Sequence, residues 1–326
     1  MRSLVTGVTG FLGEALVLDL AAAHGADSVT GMAREPLPEG ERAAAERLEA
    51  AGVRLVPLDL LALPACRRPV PEFDVLYHLA AETDSSAPAA RLAVNDRGTA
   101  HLLETIGREA LSGKRVVLAG ATAAVDRGRR PRALMREDDP PCPRTAYGRS
   151  KLQAERLLAV FAEEWDFRFV VPRFSPVYDP SLSTGFLRAF RDQAEKRSIL
   201  RRVGWPGRIT IVRLEDAVRV LRFLGESGAA DGRAVNVTDG CVYRYRDLLR
   251  DVRRRCGDGG WFLPVPRFVW GLARFFAWVP PFRRFVPWRL SCLLGDDLAA
   301  DASRLAALLP APLRAWEGPQ GSSPSP

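Results

Sequence analysis

Over the first half of the chain, short apolar runs alternate with longer stretches in which apolar positions recur at helical spacing. Runs at 3–6, 28–32, 53–58, 74–79, 115–119 and 167–171 read as strands, and 234–237 as a late one. The stretches 11–23, 95–110 and 147–161 read as helices. Strands alternating with helices in this way predict an α/β fold, a doubly wound parallel sheet covered on both faces. From about residue 180 the order loosens and loops rich in Gly, Pro and Arg take over. The expected division is therefore a first domain at 1–180, which also takes the late strand near 234–237, and a smaller C-terminal substrate lobe at 181–310. Residues 311–326 end in Gly, Ser, Pro and Gln and read as a disordered tail.

Composition narrows the class. The 326 residues are 47% hydrophobic, enough for a sizeable core. The formal charge of +8 is dispersed and interleaved with Asp and Glu over most of the chain, so no nucleic-acid module is read from it. Five cysteines without a C-x-x-C pair and three histidines without ligand spacing predict no metal and a reducing, cytoplasmic setting. A strand starting near Ser3 leaves no room for a signal peptide.

The chemistry begins at Thr6-Gly7-Val8-Thr9-Gly10-Phe11-Leu12-Gly13, where three glycines follow a strand and open a helix. Such a turn lets backbone approach a pyrophosphate at a helix N-terminus, the mark of a dinucleotide-binding (Rossmann) domain. Gly7, Thr9, Gly10, Phe11, Leu12 and Gly13 are the candidate contacts. The second strand ends in Ala33-Arg34 with no carboxylate. A guanidinium there suits a 2′-phosphate, which favours NADP over NAD; the alternative is a solvated loop arginine. Asp59 is placed either to meet an adenine edge or to cap a turn.

Tyr147 and Lys151 stand four residues apart on a predicted helix, and lysine is rare here, occurring only at 114, 151 and 196. On one helix face the ammonium is expected to lower the tyrosine pKa, giving a proton donor and acceptor usable near neutrality. With the glycine turn, the pair predicts a nicotinamide-dependent oxidoreductase.

Further landmarks follow in order: Asp59-Leu60, His78-Leu79-Ala80-Ala81, Asn95 to Thr99, Ala121 to Val125, Tyr147 to Lys151, Pro172 to Tyr178, and Leu214 to Ala217. In these the chain resembles the extended short-chain dehydrogenases/reductases, the group of nucleotide-sugar epimerases and dehydratases and 3β-hydroxysteroid dehydrogenases, through about residue 250. The resemblance implies that Thr122 binds the reacting oxygen, Tyr147 is the general acid or base, and Lys151 holds the nicotinamide ribose. It also implies a supporting role for Asn95, cofactor contacts at Leu60, Leu79, Ala80, Ala81 and Pro172, and a homodimer through the helix bearing Tyr147. Departures bear on the reaction. Ala123 and Ala124 replace the acidic pair of dehydratases, Pro176 replaces an Asn usual in sugar-nucleotide epimerases, and Ile209 occupies the site of a basic residue, with Arg208 one position away. Asp126-Arg127 replaces a usual Tyr-Gly.

The segment 261–294 carries Trp261, Trp270, Trp278 and Trp288 with Arg267, Arg274, Arg283, Arg284 and Arg289. Arg274 and Pro280-Pro281 interrupt it, so it does not span a bilayer. A lid or core over an apolar pocket, a peripheral membrane contact and an oligomer face stay open. The expected activity is accordingly hydride transfer between nicotinamide and a secondary alcohol or ketone on a bulky apolar small molecule, steroid- or isoprenoid-like. The alternatives are a nucleotide-sugar epimerase with tightly bound NAD, and a non-catalytic dinucleotide sensor.

Overall fold

The computed structural model describes residues 1–61, 70–84, 87–125, 134–196, 202–263, 265–279 and 297–317. Of the expected tail at 311–326, residues 318–326 lie outside these residues, whereas Trp316 is buried and its indole N–H donates to Asp251 at 3.3 Å. The Asp126-Arg127 departure and all of 280–294 also lie outside them.

In chain order the elements are β1 (Ser3–Thr6), α1 (Phe11–His24), β2 (Val29–Ala33), α2 (Glu39–Ala50), β3 (Arg54–Pro57), β4 (Val75–His78), α3 (Ala89–Ile106) and α4 (Arg108–Leu111). There follow β5 (Arg115–Leu118), β6 (Gly120–Ala121), α5 (Ala146–Trp165), β7 (Arg168–Phe174), β8 (Val177–Tyr178), α6 (Arg188–Glu195), β9 (Arg208–Ile209), β10 (Val212–Arg213) and α7 (Leu214–Ser227). The last are β11 (Arg233–Val237), β12 (Tyr243–Arg244), α8 (Tyr245–Arg255), α9 (Arg267–Trp278), β13 (Asp297–Leu298) and α10 (Ser303–Leu308).

The main sheet runs β11-β7-β5-β4-β1-β2-β3, with β6 paired to β7. β1 pairs in parallel with β2 on one side and β4 on the other, and β2–β3, β4–β5 and β5–β7 are parallel too. The fold is thus the doubly wound Rossmann sheet that the apolar alternation predicts. Strand order reverses beside β1, and such a switch point opens a crevice at the carboxyl ends of the strands. Buried Leu4, Leu76, Val116 and Val171 on the strands, with Leu102, Leu103, Ala154 and Leu158 on the helices, form the core under that crevice.

Two elements differ from expectation. α3 begins at Ala89, not 95, because Pro88 fits the position before the first helical turn. It stops at Gly107, whose φ of +84° is open to glycine, so the run to 110 divides into α3 and α4.

The chain divides into two compact units, 1–124 with 146–173 and 214–235, and 125–145 with 174–213 and 236–326. The first therefore reclaims α7 as well as the start of the late strand. Arg115 of β5 explains how: its guanidinium donates to both Asp231 carboxylate oxygens, at 2.8 and 2.9 Å, and to the Gly225 carbonyl at 2.8 Å. A bidentate, largely buried pair of this kind holds α7 and the loop after it on the sheet.

In the second unit β8 pairs with β10, and β9 lies between β12 and β13. Tyr178, Leu187, Ile209, Tyr245, Leu248, Val252, Leu298 and Trp316 make its core.

Candidate functional site

The glycine turn is tightly constrained. Gly7 has φ +70°, and a Cβ there would lie 2.6 Å from the Ala80 backbone nitrogen. A Cβ at Gly13 would overlap the Gly7 carbonyl oxygen. The Gly10 amide donates to that same oxygen at 3.0 Å, closing the turn before α1. Gly13→Ala is therefore expected to displace the loop and weaken dinucleotide binding by about tenfold or more, read by calorimetry.

Beside this turn lies a cavity of about 500 Å³, lined by Thr6, Gly7, Thr9 and Gly10, the β2 end at Met32 to Arg34, Glu41, Leu58 to Leu61, Leu79 to Glu82, Arg91 and Val94. Of the residues singled out from the sequence, Gly7, Thr9, Gly10, Arg34, Asp59, Leu60, Leu79, Ala80 and Ala81 line it. Phe11, Leu12 and Gly13 stand behind the rim in the first turn of α1, and Pro172 is buried within β7. Asp59 accepts the Leu61 amide at 2.9 Å, so it also closes the local turn.

Glu41 is the main residue that sequence reasoning missed. It sits in the first turn of α2, accepts a hydrogen bond from Thr9 Oγ1 at 2.6 Å, and forms an ion pair with Arg34. The guanidinium expected to meet a 2′-phosphate is thus engaged by a carboxylate on the same cavity wall. No local pattern marks Glu41, because the strand and turn before α2 fold back to bring it there.

Glu82 is the second such residue, legible only as the position after Leu79-Ala80-Ala81. Its backbone N–H donates to Asn95 Oδ1 at 2.8 Å, and its carbonyl accepts from Asn95 Nδ2 at 3.0 Å. The same amide nitrogen donates to Ser150 Oγ at 2.9 Å, and Ser150 donates to the Tyr147 carbonyl at 2.8 Å. Buried Asn95 thereby bolts the first turn of α5, with Tyr147, to the cavity wall.

A second buried chain runs beneath. Thr99 donates to the Asn95 carbonyl at 2.6 Å, which uses its one hydroxyl hydrogen. Its contact with His78 Nε2 at 2.9 Å must then be donation from the ring. Nδ1 is left as acceptor for Thr6, 2.7 Å away, and Thr6 in turn accepts the Ala80 amide at 3.2 Å. Buried and fully bonded as a neutral ring, His78 has its pKa pushed down to about 3, first by burial and then by the charge of Lys151.

Tyr147 and Lys151 share a face of α5, and the turn of Thr122–Ala124, which holds buried Thr122, packs against that helix. The expected lowering of the tyrosine pKa is not what this environment produces. Burial pushes Tyr147 up to about 12 and Lys151 down to about 8, the latter partly offset by Glu155. Desolvation is the leading cause for both groups, and the lysine charge is also felt at His78. Glu155 is itself held by Arg173, with N–O distances of 2.7 to 3.2 Å.

A switch-point crevice floored by a glycine turn, with the helix bearing Tyr147 and Lys151 bolted to its wall, fits an enzyme with an NAD-binding Rossmann fold. The chain belongs to the NAD dependent epimerase/dehydratase family, whose pattern matches residues 3–238. It is 29% identical over 204 residues to UDP-glucose 4-epimerase of Mycolicibacterium smegmatis, a match covering 59% of this chain. The matched stretch spans 62% of the length of that relative. Among solved structures it is similar to UDP-glucose 4-epimerase of Thermotoga maritima, with TM-score 0.70, 18% identity and coverage of 94% of this chain and 92% of that one. It is also similar to a double mutant of the dTDP-glucose 4,6-dehydratase DesIV of Streptomyces venezuelae, solved with NAD, with TM-score 0.72, 19% identity and coverage of 97% and 92%. At these identities the two structures speak for the fold.

Proposed function

We propose that the chain is a nucleotide-sugar epimerase that holds NAD in the cavity of its first unit. The observation that carries this reading is the Glu82-Asn95-Ser150-Tyr147 connection, which gives the acid–base helix a fixed position relative to a glycine cradle shaped for a dinucleotide. Gly7, Gly10 and the N-terminus of α1 would hold the pyrophosphate, with Asp59 and Leu60 on the adenosine side. The bound nicotinamide supplies a hydride acceptor and donor. Around it Thr122 orients the reacting sugar oxygen, Tyr147 takes and returns its proton, and Lys151 holds the ribose and favours the phenolate.

NAD is proposed over NADP because Glu41 pairs with Arg34 and presents its carboxylate where a 2′-phosphate would be repelled. The relatives point the same way, since DesIV was solved with NAD. A sugar nucleotide is proposed over the bulky apolar ketone because the curated relative is a UDP-glucose 4-epimerase. The aromatic segment that favoured an apolar substrate also leaves its side chains at Phe268, Leu272, Phe275 and Phe276 exposed instead of lining a pocket. Dehydration stays disfavoured, as Ala123 and Ala124 offer no acid. A homodimer through α5 remains part of the proposal on resemblance alone.

Purified protein is expected to carry NAD and to interconvert UDP-glucose and its 4-epimer with no added cofactor. Failure to bind any dinucleotide, or a strict need for added NADP with ketones, would overturn the reading. Glu41→Gln is expected to shift the NAD to NADP affinity ratio about tenfold toward NADP, measured by parallel titrations.

A further inference from the structure

α9 is an amphipathic helix turned inside out. Phe268, Leu272, Phe275 and Phe276 recur at i, i+4, i+7 and i+8 and so share one face. That face is open: the four side chains are 74%, 56%, 63% and 46% exposed, and nearby Trp261 is 60% exposed. The helix is held from behind, where Trp270 packs on Trp205 with ring centroids 5.4 Å apart. A contiguous outward face of this kind marks a surface that meets something apolar.

Charge identifies what. Between Asp258 and Asp296 the chain has five arginines, at 267, 274, 283, 284 and 289, and no acidic residue. A second copy of the chain would bring the same positive charge to the contact, whereas an anionic lipid surface attracts it, with each basic residue near such a surface adding to the affinity. At 12 residues α9 reaches about 18 Å, short of the roughly 30 Å of a hydrocarbon core. No helix among the described residues is long and apolar enough to cross a membrane.

We infer that α9 lies flat in the interface of an anionic phospholipid membrane, its Phe and Leu side chains inserted among the acyl chains, with the net positive charge of the sequence 259–295 supplying the attraction to the headgroups. Aromatic insertion with a cationic flank is the arrangement an in-plane helix requires. The inference stands on the second unit alone and does not depend on the reaction proposed for the first.

The test is co-sedimentation of the full chain with vesicles of phosphatidylcholine, with and without phosphatidylglycerol. The wild type is expected to bind phosphatidylglycerol-containing vesicles about tenfold or more tightly than phosphatidylcholine alone, and to lose that margin at high salt. The triple variant Phe268→Glu, Leu272→Glu, Phe275→Glu changes only exposed positions, so its circular dichroism and melting midpoint should match the wild type while vesicle binding falls at least about tenfold. Wild-type protein that ignores both vesicles, or a folded triple variant that binds as well as wild type, overturns the inference. So does a wild-type dimer in sedimentation velocity that the triple variant abolishes, if neither protein binds vesicles; the face is then a contact between copies.

Discussion

Tyr147→Phe is expected to lower turnover of the sugar nucleotide by about 10²–10⁴-fold, the range contributed by a positioned acid or base. Dinucleotide affinity should stay within about twofold, because the phenol oxygen serves the reacting carbinol and not the cofactor cradle. The effect should appear in kcat, with calorimetry on NAD as the control for folding. Since burial holds Tyr147 up to about 12, the residue rests as a proton donor at neutral pH. The oxidative half of the cycle therefore needs the phenolate stabilised by charge gathered around it, from Lys151 and the oxidised nicotinamide when bound. A variant retaining most of its rate would remove Tyr147 from the chemistry.

The second large effect concerns acid stability. His78 is neutral in the folded chain down to about pH 3, whereas an unfolded histidine takes up a proton near 6.5. Because the folded pKa is depressed, the unfolded state binds more protons between these limits. The contribution to stability is full above pH 6.5 and is lost as pH falls toward 3, and it is on the order of 5 kcal/mol at most. Carboxylates titrate in the same range, so the informative quantity is the difference between wild type and His78→Gln. Denaturant titrations should show the variant less stable at pH 7, where it breaks the bonds to Thr6 and Thr99, yet with a clearly shallower loss between pH 6.5 and 3. Parallel curves for the two proteins would mean that His78 ionises freely in the fold.

The Arg34–Glu41 pair shows where reading along the chain stops short. Arg34 at a strand end without a carboxylate favours NADP on local grounds, and that inference is sound as far as seven residues of sequence allow. The carboxylate arrives from the first turn of α2, where Thr9 of the glycine turn also binds it, 32 residues away. The aromatic segment is a similar case. Its composition leaves lid, membrane and oligomer open, because composition does not say which face of α9 is covered.

Alternation of apolar runs, the glycine turn and the four-residue spacing of Tyr147 and Lys151 determined the sheet, its winding and the candidate chemistry from sequence alone. These depend on stereochemistry within a few residues: the side-chain period, the freedom of glycine at positive φ, and the pitch of a helix. Only the tertiary structure decided that His78 is a neutral strut between Thr6 and Thr99, that Tyr147 is raised by burial instead of lowered by its lysine, and that the aromatic face of α9 looks outward. Each of those is a matter of solvent exclusion, and what excludes water from a side chain comes from residues far away along the chain.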